Sequence, residues 1–386
     1  LTGNQYDAIV IGAGSMGSSA CFHLAAQGYR VLGLEQFNSL PHDKGSHAGQ
    51  SRIIRKAYFE HPDYIPLLNR AYENWNRLEK LTGEQVYFKT GLLYCGPLQH
   101  PVMLGVKNAA TDHNIKLEAI ADPASFPAFS VAENNAMLLE PDAGFLLPEK
   151  CIELYLKEAI KAGAKIETSE KVWEWKREGK LIKVLTSRSS YYTNKLIITA
   201  GAWSENVIRQ LSMPLKVTRQ VIVWVQPEHS ADFVPERFPC WLIAGENIRG
   251  AWYGFPYLAG NRYPGPAGLK FARHYPGDET DPDRVNREVT EEEIRSITSE
   301  AKKYFKPAGS KVTAVKACLY TNTPDEHFII DHLPGYDGDV TIACGFSGHG
   351  FKFASVVGEI LADLAMINNT NLPAAFLGLK RFQQKT

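Results

Sequence analysis

The stretch YDAIVIGAGSMGSSACFHLAAQGYRVLGLE, from Tyr6 to Glu35, constrains the fold more than any other part of the chain. YDAIVI is a nearly unbroken apolar run, as a strand buried on both faces requires. It leads straight into GAGSMG, with Gly12, Gly14 and Gly17 at G-x-G-x-x-G spacing. SSACFHLAAQGYR then carries apolar residues at helical intervals and ends near Gly28. VLGLE follows as a second apolar run, closed by Glu35. Alone, the glycine pattern is a weak signal. Between a strand and a helix, with an acid about 20 residues on, it points strongly to a dinucleotide site. Gly12 permits the tight turn, Gly14 lets backbone approach a pyrophosphate, and Gly17 lets helix and strand pack closely. The helix N-terminus offers unpaired N–H groups and a positive dipole end to the phosphates. Glu35 is suited to accept hydrogen bonds from ribose hydroxyls, and its charge disfavours a 2′-phosphate. FAD and NAD both fit this pattern, and a glycine turn with no ligand is the plain alternative.

Two later stretches favour FAD. KLIITAGAWS, Lys195 to Ser204, is an apolar strand ending in small residues, and the segment before it alternates like a small β-meander. GDVTIACGFSGHGFKFASVVGEILADLAMI reads as a strand, a loop punctuated by Gly345, Gly348 and Gly350, and a helix carrying Val356, Val357, Ile360, Leu361 and Leu364. Such a loop presents a helix N-terminus to a group that becomes negative, which suits a reduced flavin. An ordinary strand–helix connection is the other reading. In KACLYTNTPDEHFIID, Lys316 to Asp331, Cys318 stands in surroundings polar enough for a working surface. A buried thiol is nevertheless most often an inert core residue. In GLKFARH, Gly268 to His274, Lys270 lies between apolar neighbours on an expected strand. That is a costly place for a charge unless it faces a cavity. A surface lysine with its stem laid along the protein is the alternative.

A chain of 386 residues allows two or three domains of about 100–200 residues. Lys+Arg 42 balance Asp+Glu 42, so the charge points to neither nucleic acid nor an anionic membrane. No apolar run reaches the ~18–20 residues of a membrane span, and LTGNQYD lacks the apolar stretch of a signal peptide. The six cysteines are scattered, with no C-x-x-C or Cys/His spacing, which argues against a disulfide framework and against zinc. A reduced, cytoplasmic setting is expected, and the ending QQKT is not an SKL-type peroxisomal address. No internal repeat or low-complexity segment is present.

Six motifs in order carry a resemblance: GAGSMG, GSHAGQSRIIRKAY (Gly45 to Tyr58), YGFP (Tyr253 to Pro256), GLKFARH, CLYTNTPDEHFIID (Cys318 to Asp331) and GFSGHGFKF (Gly345 to Phe353). The chain resembles, nearly end to end, the family of monomeric sarcosine oxidase, N-methyltryptophan oxidase and pipecolate oxidase. The resemblance implies an α/β (α+β) two-domain fold, in which a Rossmann-like, glutathione-reductase-type FAD domain interleaves with a mixed-sheet substrate domain. The FAD segments are expected at 1–84, 150–216 and 316–365, and the substrate segments at 85–149, 217–315 and 366–386.

The same resemblance implies that Cys318 carries FAD through a thioether to the flavin 8α-methyl, a role that suits a thiolate nucleophile. It gives Gly12, Gly14, Gly17, Glu35, Ser46, His47, Arg55, Gly348, His349 and Gly350 to the cofactor. Arg52 and Lys352 match a pair that holds the substrate carboxylate, a bidentate guanidinium with an added point charge. Tyr253, Tyr320 and His274 match positions lining the active site, where aromatic walls exclude water. Lys270 matches a lysine near flavin N5 that promotes the reaction with oxygen electrostatically. The implied reaction is oxidation of a small secondary amino acid such as sarcosine, by hydride transfer to flavin. Oxygen then reoxidises the flavin to give hydrogen peroxide, and the imine hydrolyses to formaldehyde and glycine. A monomer with no nucleic-acid, membrane or metal partner is expected.

The chain also departs from this pattern. Ala48 replaces a His, Gln50 an acid, Lys56 a His and Phe59 a Gly, which leaves open sarcosine against a bulkier or cyclic secondary amino acid. A dehydrogenase of the same fold using another electron acceptor, a catalytically silent flavin protein and an NAD-dependent dehydrogenase are the rival readings. In the last, Cys318 and GFSGHG have no role.

Overall fold

A computed structural model describes residues 4–130, 132, 134–208, 215–245, 248, 250–275, 277–305 and 311–382, so the terminal QQKT lies outside the described residues. Strand β1 (Gln5–Ile11), helix α1 (Ser15–Ala26) and strand β2 (Val31–Leu34) form the unit that the glycine pattern predicts. β1 lies between two parallel neighbours, β2 on one side and Ser190–Ile198 on the other. Its alternate residues therefore feed two cores. Ala8 and Val10 pack with α1, and Ile9 and Ile11 face the opposite side. That explains why the run is apolar throughout rather than alternating.

These strands belong to an eight-stranded sheet. Ser190–Ile198 pairs antiparallel with Leu181–Thr186 through its first half, and parallel with Val340–Cys344 through its second. The meander and the late GDVTIAC strand thus meet on one strand. Helices Tyr64–Thr82, Pro148–Lys161 and Ala354–Ile367 cover the α1 side and share its core, with Val356, Val357, Ile360 and Leu361 buried as their spacing predicts.

A second sheet, also of eight strands, is mixed. Its neighbours are antiparallel except Cys240–Ile243 and Leu92–Gly96, which run parallel. Leu92 and Tyr94 pack on one face, and Leu93 and Cys95 on the other. Its outermost strand is Lys311–Asn322, paired along its length with Lys216–Gln226. This strand runs through the boundary expected at 315/316 and is paired along its length within the second sheet, while its Thr321 carbonyl accepts from the Ser347 N–H of the glycine loop. A three-stranded antiparallel sheet, Arg52–Ile54 with Gly144–Leu146 and Tyr87–Phe88, joins segments from different parts of the chain. No helix among the described residues is long and apolar enough to cross a membrane.

Candidate active site

A single cavity of about 640 Å³ runs from the glycine turn after β1 to the glycine loop before helix Ala354–Ile367. That volume is within the roughly 300–1,000 Å³ of ligand sites. At its first end, the three glycines are constrained differently. A Cβ on Gly17 would come within 1.9 Å of the Gly12 carbonyl oxygen, and one on Gly12, at φ +89°, within 2.6 Å of the Thr199 oxygen. Both are demanded by the protein's own packing. A Cβ on Gly14 would meet nothing nearer than His47 Nδ1 at 3.9 Å, so the space in front of Gly14 is kept clear of protein. Helix α1 starts there with no side-chain cap and no acid in its first turn, which leaves its N–H groups for an anion. Thr199, at the end of the returning apolar strand, donates to the Gly12 oxygen at 2.6 Å and holds the turn. Glu35 Oε1 accepts from the Phe37 N–H at 3.1 Å and faces His42 Nε2 at 3.6 Å.

The middle of the cavity is bounded by the loop Gly45–Ser51. Arg52 holds this loop by donating to the carbonyls of Ser46 (2.8 Å), Ala48 (2.7 Å) and Ser51 (2.8 Å). Lys270 grips it from behind. Its Nζ donates to the carbonyls of Gly49 (2.6 Å) and Ser51 (2.5 Å), with Ser51 Oγ at 3.2 Å. Lys270 is wholly buried and does not line the cavity. Burial, then the Arg52 guanidinium, push its pKa well below the usual lysine range, while the carbonyl acceptors supply partners for the ammonium form. Glu149 Oε1 accepts from the N–H groups of Gly49 (2.8 Å) and Gln50 (3.2 Å). Gln50 sits at φ +67° with its amide satisfied on both sides: Trp224 Nε1 donates to Oε1 at 2.9 Å, and Nε2 donates to the Tyr263 carbonyl at 3.2 Å.

Two buried polar atoms on the cavity wall, His47 Nε2 and Thr321 Oγ1, have no partner among the described residues. Burial first, and then His42, hold His47 neutral with a pKa of about 4. Orphaned polar atoms at this depth call for a ligand partner. Cys318 alone among the six cysteines lines the cavity. Burial raises its pKa, while Arg52, Lys270, Lys316 and Arg287 pull against that rise. Cys318 and Tyr320 alternate with Leu319 and Thr321 along the outermost strand, yet all four line the cavity. The cavity therefore wraps around the edge of the second sheet. The clear space at Gly14, the uncapped helix and the orphaned His47 and Thr321 together fit a long dinucleotide such as FAD.

The far end is a cluster of charges among rings. Arg55 Nη2 meets both oxygens of Glu60, at 2.5 and 2.8 Å, and Nη1 donates to the Ala57 carbonyl at 2.9 Å. Burial raises the Glu60 carboxyl, but Arg55 outweighs it with help from His349 and Lys352, holding the pKa at about 2. Lys352 Nζ donates to the His349 carbonyl at 2.6 Å and lies 5.2 Å from the centre of the Tyr58 ring. Burial, then the Arg55 guanidinium, lower its pKa to about 7. His349 Nε2 is 3.0 Å from the Glu326 carbonyl, which can only accept, so Nε2 carries the proton. His349 Nδ1 then accepts from the Tyr58 hydroxyl. Burial keeps His349 neutral with a pKa of about 3, and His274 likewise with a pKa of about 4. His274 Nδ1 lies 3.3 Å from the Tyr320 hydroxyl, and Tyr253 completes the wall. Gly348, at φ +78°, has no room for a side chain, since a Cβ would come within 2.2 Å of the Tyr320 ring.

Gly12, Gly14, Glu35, Ser46, His47, Arg52, Arg55, Tyr253, His274, Cys318, Tyr320, Gly348, His349, Gly350 and Lys352 all line this cavity, while Gly17 and Lys270 stand behind it. Arg52 and Arg55 both line the cavity with Lys352, and their charges act on different neighbours. Beyond burial, the charge of Arg55 lowers the Lys352 pKa, and that of Arg52 acts on Lys270, Cys318, Tyr253 and Tyr320. Sequence reasoning passed over Tyr58, Glu60, Glu149 and Thr321. The Tyr and Glu that close RKAYFE were a usable signal for the first two, as an aromatic and an acid just after a candidate ligand-binding arginine.

The profile of the FAD-dependent oxidoreductase family designated DAO matches residues 7–364. A monomeric sarcosine oxidase of Streptomyces avermitilis is 36% identical over 381 residues, covering 97% of each chain. An N-methyl-L-tryptophan oxidase of Salmonella heidelberg is 32% identical over 390 residues, covering 98% of this chain and 100% of its own. Among solved structures, the amino acid oxidase NikD superposes with a TM-score of 0.85 at 20% identity and covers 97% of both chains, which shows a common fold.

Proposed function

The chain belongs to the DAO family of FAD-dependent oxidoreductases and is a flavin-dependent amine oxidase; from that premise we propose that it oxidises a small secondary amino acid of the N-methyl type, sarcosine being the simplest. FAD, when bound, supplies the chemistry by taking two electrons from the carbon–nitrogen unit and passing them to oxygen. The observation that carries the reading is the convergence of Arg55 and Lys352 around Tyr58, at the opposite end of the cavity from the glycine turn. Two cations in a buried, ring-lined space suit a carboxylate, with Arg55 as the fork and Lys352 as the point charge. Lys352, with a pKa of about 7, serves best as the ammonium. Glu60 balances Arg55 until a carboxylate arrives.

The neutral His274 and His349, with Tyr253 and Tyr320, would keep water out and favour the uncharged amine. Arg52 and Lys270 would hold the Gly45–Ser51 loop beside the cofactor, with Lys270 lending positive charge to the oxygen step. Cys318 is well placed by exposure to the cavity to carry FAD covalently. The Gln50 side chain is absorbed in this loop's own packing. The test is a panel of N-methyl amino acids with peroxide as readout. Peroxide formed with sarcosine or a near relative supports the reading. Flavin reduction without oxygen consumption would favour a dehydrogenase instead.

A further inference from the structure

Arg55 is gripped by the four residues of its own loop. Its Cζ lies 4.4 Å from the centre of the Tyr58 ring and 4.4 Å from that of Phe59, while Ala57 and Glu60 take its N–H groups. Phe59 is itself immobilised from behind. Gly105, in helix Pro101–Asp112, is pressed so closely on it that a Cβ there would come within 2.8 Å of Phe59 Cβ. Phe59, Ile53 and Tyr253 each pack against the apolar core under the second sheet, to which Leu242 belongs. Phe59, Ile53, Leu242 and Tyr253 all line the cavity. The wall that Phe59 forms beside the Arg55 guanidinium is therefore apolar and backed by close-packed core, which does not yield readily to an inserted group.

We propose that Phe59 is a specificity-determining residue that limits the size of the substituent at the substrate's α-carbon. The inference rests on Arg55 holding the substrate carboxylate. The α-carbon is bonded directly to the carboxylate carbon, so any substituent there emerges beside the group that Arg55 holds and meets the Phe59 wall. Glycine-derived secondary amino acids pass, and α-branched ones are turned away. A packed apolar wall discriminates a single carbon by about 10–200-fold.

The experiment titrates the holoenzyme with acetate, isobutyrate and pivalate, following the flavin absorbance, in wild type, Phe59→Ala and Phe59→Val. Wild type is expected to bind acetate at least about tenfold more tightly than isobutyrate. Phe59→Ala should shrink that ratio by about tenfold, and Phe59→Val, which keeps more of the wall and guards against misfolding, should give an intermediate value. A ratio the same in both variants as in wild type overturns the role of Phe59, as does a wild type that binds the three acids equally. Absence of any spectral response to acetate in wild type contradicts the carboxylate site itself. That failure is separate from one confined to the size ratio.

Discussion

Replacing Lys352 by Met tests the substrate end through a single proton. Among the groups gathered there, His274 and His349 titrate near pH 4 and 3, and Glu60 near 2. Burial raises the Tyr58 and Tyr320 hydroxyls well above the ordinary tyrosine value. Lys352, at about 7, changes charge between pH 6 and 9. Its pKa is lowered, so the ammonium is present below pH 7 and lost as pH rises through it. A carboxylate that needs that ammonium binds best at pH 6 and weakens by about tenfold per unit above 7. The weakening stops at the full worth of the contact, roughly 1.5–3 kcal/mol or about 10–150-fold. Met keeps the length and apolar stem. Lys352→Met is therefore expected to bind acetate about 10–150-fold more weakly at pH 6, with no pH dependence up to pH 9. Acetate is the right probe because its own titration lies below this window. The assay is flavin absorbance against acetate concentration at each pH. A Lys352→Met protein that retains the wild-type slope would refute the assignment of the titration to Lys352.

Cys318→Ser is expected to leave FAD extractable by acid, whereas the wild-type flavin stays with the precipitated polypeptide; a yellow supernatant from wild type would sink the covalent link. Gly14→Ala should leave the thermal midpoint of the apoprotein unchanged while reducing FAD content, because its Cβ points into clear space. Gly17→Ala, with a Cβ 1.9 Å from the Gly12 oxygen, should instead destabilise the fold, and equal behaviour of the two would contradict the ligand role of Gly14. Lys270→Met is expected to slow the oxygen half-reaction by about 10²–10³ and to change the amine half-reaction little. It should also lower stability, since the Gly49 and Ser51 carbonyls lose their buried donor. Unchanged reoxidation in stopped-flow would remove Lys270 from the oxygen step.

The nucleotide end is legible in the sequence because its determinants are local. Gly12, Gly14 and Gly17 act within one turn, and the apolar period changes from strand to helix across them. The substrate end is not, because it depends on how the chain leaves a strand only three residues long. Arg52 lies in the strand Arg52–Ile54 and turns back onto the loop before it, while Arg55 follows the strand and meets Tyr58 and Glu60. Two arginines three apart offer equal claims to Lys352 until that turn is known. Lys270 is buried, as its apolar neighbours suggest, yet it faces no cavity: its acceptors are backbone carbonyls of residues about 220 positions earlier, which no local pattern reports. For the same reason no local pattern shows that the strand Lys311–Asn322 runs on through the boundary expected at 315/316. Its ladder hydrogen bonds run to the second sheet, while Cys318 to Thr321 line the cavity.

The central claim is that a carboxylate-anchored secondary amine is the group oxidised. Its most direct test is the anaerobic bleaching of the flavin by sarcosine, measured beside N-methylethylamine, which offers a comparable secondary amine without the carboxylate. The account predicts rapid bleaching by sarcosine, none by the simple amine on the same timescale, and return of the colour with peroxide when oxygen is admitted. Equal bleaching by both, or by neither sarcosine nor any other N-methyl amino acid, would contradict it.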